Sequence, residues 1–152
     1  MKTISLGTDH AGYQLKEVVK GHLKKKGYQI IDFGTSSDEA VDYADFVIPA
    51  AEAVAQSKAD FGVVFGGSGN GEAIAANKVK GIRCALCWNV QSALLAKEHN
   101  DANVIALGGR MVSDEEALKI VDQWLEASFE GGRHLRRIQK VGEYESGQSN
   151  KS

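Results

Sequence analysis

Across 152 residues the sequence has one proline and two cysteines. Two thiols cannot build a disulfide framework, so a reducing, cytoplasmic setting is expected. No apolar run approaches the ~20 residues of a membrane-spanning helix. The opening Met1-Lys2-Thr3-Ile4-Ser5-Leu6 has neither the apolar core nor the small-residue cleavage site of a signal peptide. An excess of one charge is missing too. With 18 basic against 20 acidic residues and a net charge of −2, there is no electrostatic footprint for nucleic acid or an anionic membrane. Internal repeats and linkers are absent. A single domain over residues 3–145 is expected, with a polar, disordered tail over 146–152.

What the chain does have is 17 glycines, several of them clustered just after short apolar runs. Residues 3–7, 28–33, 61–65, 82–87 and 104–107 read as strands. Between them lie helical periodicities. Leu15, Val18, Val19, His22 and Leu23 fall on one helix face, and Phe46, Val47, Ala50 and Val54 on another. A small-residue helix surrounds Ile74-Ala75-Ala76, and a further helix covers 90–97. Ser113, with Glu116 three residues on, reads as a capping box opening a helix with Ala117, Val121, Trp124 and Leu125 on its apolar face. A basic last helix carries Leu135, Ile138 and Val141 on one side. Strands alternating with helices predict a Rossmann-like three-layer α/β/α sandwich around a five-stranded parallel sheet.

In such sheets ligands bind beyond the carboxyl ends of the strands. Thr8, Asp9 and His10 follow the first strand. Gly66-Gly67-Ser68-Gly69-Asn70-Gly71-Glu72 follows the third, and Gly108-Gly109-Arg110 the fifth. The turn at 66–71 has so little side chain that its N–H groups can converge on an anion or a developing oxyanion. No nucleotide motif fits. The first turn, Gly7-Thr8-Asp9-His10-Ala11-Gly12, puts an acid where a pyrophosphate would lie, and Gly71 is followed by Glu72 rather than by the lysine of a P-loop. A nucleophile elbow nearly matches at Gly66-Gly67-Ser68-Gly69, with Asn70 in place of the last glycine. A serine hydrolase built on Ser68 therefore stays open. Cys84 and Cys87 form C-x-x-C, but on one strand they would face opposite ways; two buried apolar thiols are expected. Arg133 and Arg137, one helical turn apart, could join His134 and Arg110 to clamp a phosphate.

These residues resemble the ribose-5-phosphate isomerase B family, which includes galactose-6-phosphate isomerase subunits. The resemblance runs from residue 3 to about 141. It rests on residues 7–12, Asp42-Tyr43, the 66–71 turn, Ile74-Ala75-Ala76-Asn77-Lys78, Gly81-Ile82-Arg83, Glu98-His99-Asn100-Asp101-Ala102-Asn103 and Gly131-Gly132-Arg133-His134-x-x-Arg137. It implies an aldose–ketose isomerase of a phosphorylated sugar, working through a cis-enediolate. It also implies no metal, no cofactor, and a homodimer or higher oligomer with sites shared between subunits. Ribose 5-phosphate is the family's default substrate; tetrulose 4-phosphate, galactose 6-phosphate and allose 6-phosphate are alternatives, and a non-catalytic sugar-phosphate-binding module stays open beside the isomerase. Many members carry a cysteine base directly after the third strand, where this chain has Gly66. The chain is similar instead to the subgroup with Gly-Gly-Ser-Gly-Asn-Gly-Glu, which makes Glu72 the base. By the same resemblance His99 serves ring opening and Asp9 binds sugar hydroxyls. Gly67, Ser68, Gly69, Asn70 and Gly71 form the oxyanion loop. His10, Arg110, Arg133 and Arg137 take the phosphate, and Tyr43 and Asn100 contact substrate. His99 precedes the fifth strand, so it belongs at the wrong sheet edge of its own subunit; a partner subunit has to supply it.

Overall fold

A computed structural model of the chain describes residues 1–147; from residue 148 on, the expected polar tail lies outside the described residues. The described residues form five strands and six helices, alternating until the last two helices follow one another. The strands are β1 (Thr3–Thr8), β2 (Gln29–Asp32), β3 (Phe61–Gly66), β4 (Cys84–Leu86) and β5 (Val104–Gly108). They form one parallel sheet in the order β2-β1-β3-β5-β4. The helices are α1 (Tyr13–Lys25), α2 (Ala44–Ala55), α3 (Asn70–Asn77), α4 (Val90–Asn100), α5 (Asp114–Glu126) and α6 (Arg133–Glu145). The expected three-layer sandwich is what forms.

Side chains along the central strands alternate between two cores, as a period of two requires. Ile4, Leu6, Val63, Phe65, Ile105 and Leu107 pack under α1, α4 and α5, with Trp124 fully buried among them. Val64, Val104 and Ala106 pack on the other face against the alanine-rich α2 and α3. The two cysteines divide between these cores, Cys87 in the first and Cys84 in the second. They are free thiols, and burial pushes Cys87 up to about 12 and Cys84 higher still.

Two local readings are corrected. The fourth strand is only Cys84–Leu86, shorter than the expected 82–87. Its approach is held by side chains instead: Asn77 grips both backbone groups of Cys84 at 2.8 and 2.9 Å, and Asn103 accepts from Arg83 N–H and donates to the Gly81 carbonyl. At α5 the Ser113 hydroxyl accepts the Glu116 N–H at 3.1 Å, one half of a capping box. A complete reciprocal box stands at α4, between Asn89 and Ser92. The last helix departs from the pattern of the others. Of its residues only His134 is buried, while Leu135, Val141 and Tyr144 of its apolar side face outward.

Candidate active site

The turns after β1 and β3 pack against each other. A Cβ on Gly12 would fall 2.7 Å from the Gly66 nitrogen and 2.5 Å from Thr8 Oγ1, and Thr8 Oγ1 donates to the Phe65 carbonyl. This is the crevice between β1 and β3, with β2 to one side and β5 to the other, at the carboxyl edge of the sheet. Asp9 lies in it, 8% exposed, with Oδ1 accepting the Gly12 N–H at 3.1 Å. His10 stands beside it. Its Nδ1 accepts the Val41 N–H at 3.2 Å, which leaves Nε2 as the ring nitrogen free to meet a ligand.

The β3–α3 turn supplies the next groups. Gly69 takes φ +87°, a conformation costly for any residue with a Cβ, and α3 starts at once behind it. Among the described residues no acceptor stands opposite the N–H groups of Gly67, Ser68, Gly69 and Gly71. The Asn70 N–H is taken by Ser68 Oγ at 3.2 Å. The result is a set of backbone donors at a helix N-terminus, the arrangement that favours an anion. Ser68 makes no hydrogen bond to an imidazole among the described residues, so a hydrolase relay is not assembled.

Glu72, in the first turn of α3, is 3% exposed. Its carboxyl fills the volume that a side chain at Gly66 would occupy: a Cβ built there collides with Cδ, Oε1 and Oε2 alike. Burial first, and then the negative charge of Asp9, raises its pKa, against the pull of its own backbone N–H. Tyr43, the residue before α2, covers the same turn; a Cβ on Gly71 would meet its ring at 2.6 Å. Just after β5, the Arg110 guanidinium lies over Gly67, and the Arg110 backbone N–H donates to the Gly67 carbonyl at 2.9 Å. Beside the turn a cavity of about 180 Å³ is lined by Ser68, Asn70, Trp88 and Met111 among others.

His99, Asn100, Arg133 and Arg137 are not in this crevice. His99 and Asn100 end α4, and the chain then enters β5 at its amino end, where the Asn103 carbonyl accepts from Gly62. α6 packs on this end of α4. The rings of His99 and His134 stack with centroids 4.2 Å apart, and Glu130 N–H donates to the Glu98 carbonyl. Arg133 and Arg137 therefore share the amino-edge cluster with His99. The clamp that would unite them with Arg110 inside one chain does not form. Two separate clusters result, one at each end of the sheet. Sequence reasoning overlooked Glu130, whose carboxylate lies 3.4 Å from His134 Nε2 and 3.7 Å from His99 Nε2; its i, i+4 spacing to His134 was the available signal.

A family model described as Ribose/Galactose Isomerase matches residues 4–141. The chain belongs to the ribose/galactose isomerase family. The ribose-5-phosphate isomerase B of Mycobacterium tuberculosis is 50% identical over 144 residues, covering 93% of this chain and 89% of that one. Among solved structures, Clostridium thermocellum ribose-5-phosphate isomerase B superposes with a TM-score of 0.94 at 52% identity, covering 97% of this chain and 99% of that one. The Mycoplasma genitalium ribose-5-phosphate isomerase B with bound ribulose 5-phosphate gives 0.91 at 44% identity, covering 95% and 96%. The match covers every residue quoted for the resemblance. Some of them, such as Asn77 and Asn103, hold β4 rather than line the crevice.

Proposed function

We propose that this chain is an aldose–ketose isomerase that interconverts ribose 5-phosphate and ribulose 5-phosphate without a metal, with Glu72 as the carbon base, in a cytoplasmic homodimer. The substrate rests on the relatives, one of which holds ribulose 5-phosphate. The base rests on one observation: the Glu72 carboxyl fills the side-chain space of Gly66, directly beside unpaired amides. A cysteine after β3 would put its sulfur into that same space.

In the open-chain aldose the C1 carbonyl acidifies the C2 hydrogen. Glu72 removes that proton. The C2–H electron pair becomes the C1=C2 bond and the carbonyl pair moves onto O1, giving a cis-enediolate. The amides of residues 67–71 hold the oxyanion, with donors already aimed where charge develops. The proton then returns from the carboxyl to C1, while the O2 proton passes to O1 and C2=O forms. Burial raises the proton affinity of Glu72, which suits a base facing a weak carbon acid. Asp9 and Tyr43 contact sugar hydroxyls, and His10 Nε2 and Arg110 bind phosphate.

Ring opening by His99, and the further phosphate contacts of Arg133 and Arg137, are assigned to the partner subunit, with Asn100 beside them. β5 alone spans five residues, roughly 16 Å at ~3.3 Å each, more than one side chain can bridge. The uncovered apolar side of α6, with Leu135 and Val141, is suited to burial between two copies. An isologous pair then completes two sites at once.

The test is subunit complementation. Glu72→Gln and His99→Ala are each made inactive toward ribose 5-phosphate, mixed, denatured and refolded together. Heterodimers carry one intact site and regain up to half of wild-type turnover. Heterodimers verified by native mass spectrometry but still inactive would put both residues to work within one chain. A wild-type enzyme that turns over only another sugar phosphate would overturn the substrate.

A further inference from the structure

At the end of α4, His99, Glu130 and His134 bring their ligating atoms within 4.8 Å of one another. His134 is 6% exposed, and its Nε2 is buried with no hydrogen-bond partner among the described residues. A buried ring nitrogen left in this state is costly unless something fills the position. Two edges of the cluster are 3.4 Å, His134 Nε2 to Glu130 Oε1, and 3.7 Å, His99 Nε2 to the same oxygen. Zinc bonds of about 2.0–2.2 Å to nitrogen and oxygen imply ligand–ligand edges of about 3.3–3.6 Å in a tetrahedron. The cluster is near that size before any ion arrives.

From this geometry we propose that His99, Glu130 and His134 form a reversible zinc site, with water as fourth ligand, whose occupation shuts down the isomerase. Two imidazoles and a carboxylate are a zinc donor set. In the ion-free arrangement the rings stack at an interplanar angle of 13°. The ion must lie near both ring planes, so one ring has to turn, and half-exposed His99 is the one able to do so. Glu130 is exposed at the mouth and can follow. Arg133 and Arg137 add positive charge alongside. They weaken the hold on a dication and keep the site exchangeable with chelators.

Binding needs only this chain's geometry. Its effect on turnover rests on the proposed role of His99, because an ion on His99 Nε2 removes the nitrogen that would shuttle the ring-opening proton. The measurements keep the two apart. Zinc is titrated into chelator-treated protein by calorimetry, and cobalt is used as a visible-spectrum reporter of four-coordinate binding. One zinc per chain is expected. Altering an outer partner of a metal site costs about 10–100-fold in affinity, so losing a ligand in His99→Gln or Glu130→Gln should cost at least about a hundredfold. Both side chains are partly exposed, and circular dichroism checks their folds. His22→Ala, which touches the separate His22–Asp122 pair, should bind zinc like wild type. Wild-type turnover should fall with zinc and return with EDTA. Zinc affinity unchanged in both ligand variants, or no binding in wild type, overturns the site. Binding that depends on the ligands but leaves turnover intact overturns the inhibition and the His99 assignment while the site stands.

Discussion

Gly66→Ala tests the assignment of the base through space rather than through charge. Real Cβ atoms essentially never come within 3.0 Å of another nonbonded heavy atom, and a Cβ on Gly66 lies inside that limit for all three terminal atoms of Glu72. Ordinary contact starts at 3.4 Å, so the carboxyl must retreat by more than an ångström. Gly66 itself has no left-handed φ to lose. Misplacing a reacting group by ~1 Å costs about a hundredfold in rate, which is ~2.7 kcal/mol at the barrier. We expect kcat for ribose 5-phosphate to fall by at least that factor in a direct assay of ketose formation, with circular dichroism and KM near wild type. In a Glu72→Gln background the same alanine should cost less than about threefold, because the base it displaces is already gone. A Gly66→Ala enzyme within threefold of wild type would refute the steric reading. A full hundredfold loss on top of Glu72→Gln would show that the alanine acts on something other than Glu72.

Further outcomes can be measured on the same protein. As the proposed base Glu72 must be ionised to act, and its pKa is raised by burial, so the acid limb of kcat/KM should lie above the ordinary glutamate value of 4.5; a limb at or below that value would contradict the buried base. The same shift means that the folded state holds the proton more tightly than the unfolded one. Stability therefore falls as pH rises from 4.5 through the folded-state pKa. Glu72→Gln should melt above wild type at neutral pH, and the gap should close below pH 4.5; a lower Tm at neutral pH would count against it. Iodoacetamide on the native enzyme should leave turnover intact, since burial suppresses both thiolates; substrate-protected inactivation would reveal a catalytic thiol. Arg137→Ala should raise KM at least about tenfold, the scale of a lost charge-assisted phosphate contact, and unchanged KM with unchanged inhibition by inorganic phosphate would move the clamp elsewhere. Ser113→Ala removes the cap of α5 and should lower the unfolding free energy by ~1 kcal/mol, read from the urea midpoint.

The β–α alternation and the glycine-rich turn were legible because each rests on local spacing. Apolar pairs two apart in β1, β3 and β5, and three or four apart in α1 and α5, leave little choice of element. The edge β4 was not legible to its ends. Its three residues are extended by side-chain grips from Asn77 and Asn103, which no periodicity encodes. Lys16 was missed for a similar reason. It looks like a surface residue in the helical pattern, yet it is buried with its ammonium on Asp32 and the Thr35 carbonyl. The crevice residues Asp9, Glu72 and Arg110 could be grouped from chain order, since a parallel sheet brings the segments after its strands to one edge. Arg133 and Arg137 could not. Their position depends on how α6 lands on α4, a tertiary contact that includes the stacked His99 and His134 rings.

The overlap between Glu72 and the space at Gly66 also constrains descent. A side chain at 66 and the carboxylate from 72 compete for one volume, so with Glu72 as the proposed base this fold can hold a base in either position but not in both. Moving the base from one position to the other takes two substitutions. If the new side chain comes first, two groups crowd a single space; if the old base leaves first, the enzyme has none. Lineages with each arrangement should therefore stay separate over long periods, and a chain with cysteine at 66 and glutamate at 72 would have to turn the glutamate away from the crevice.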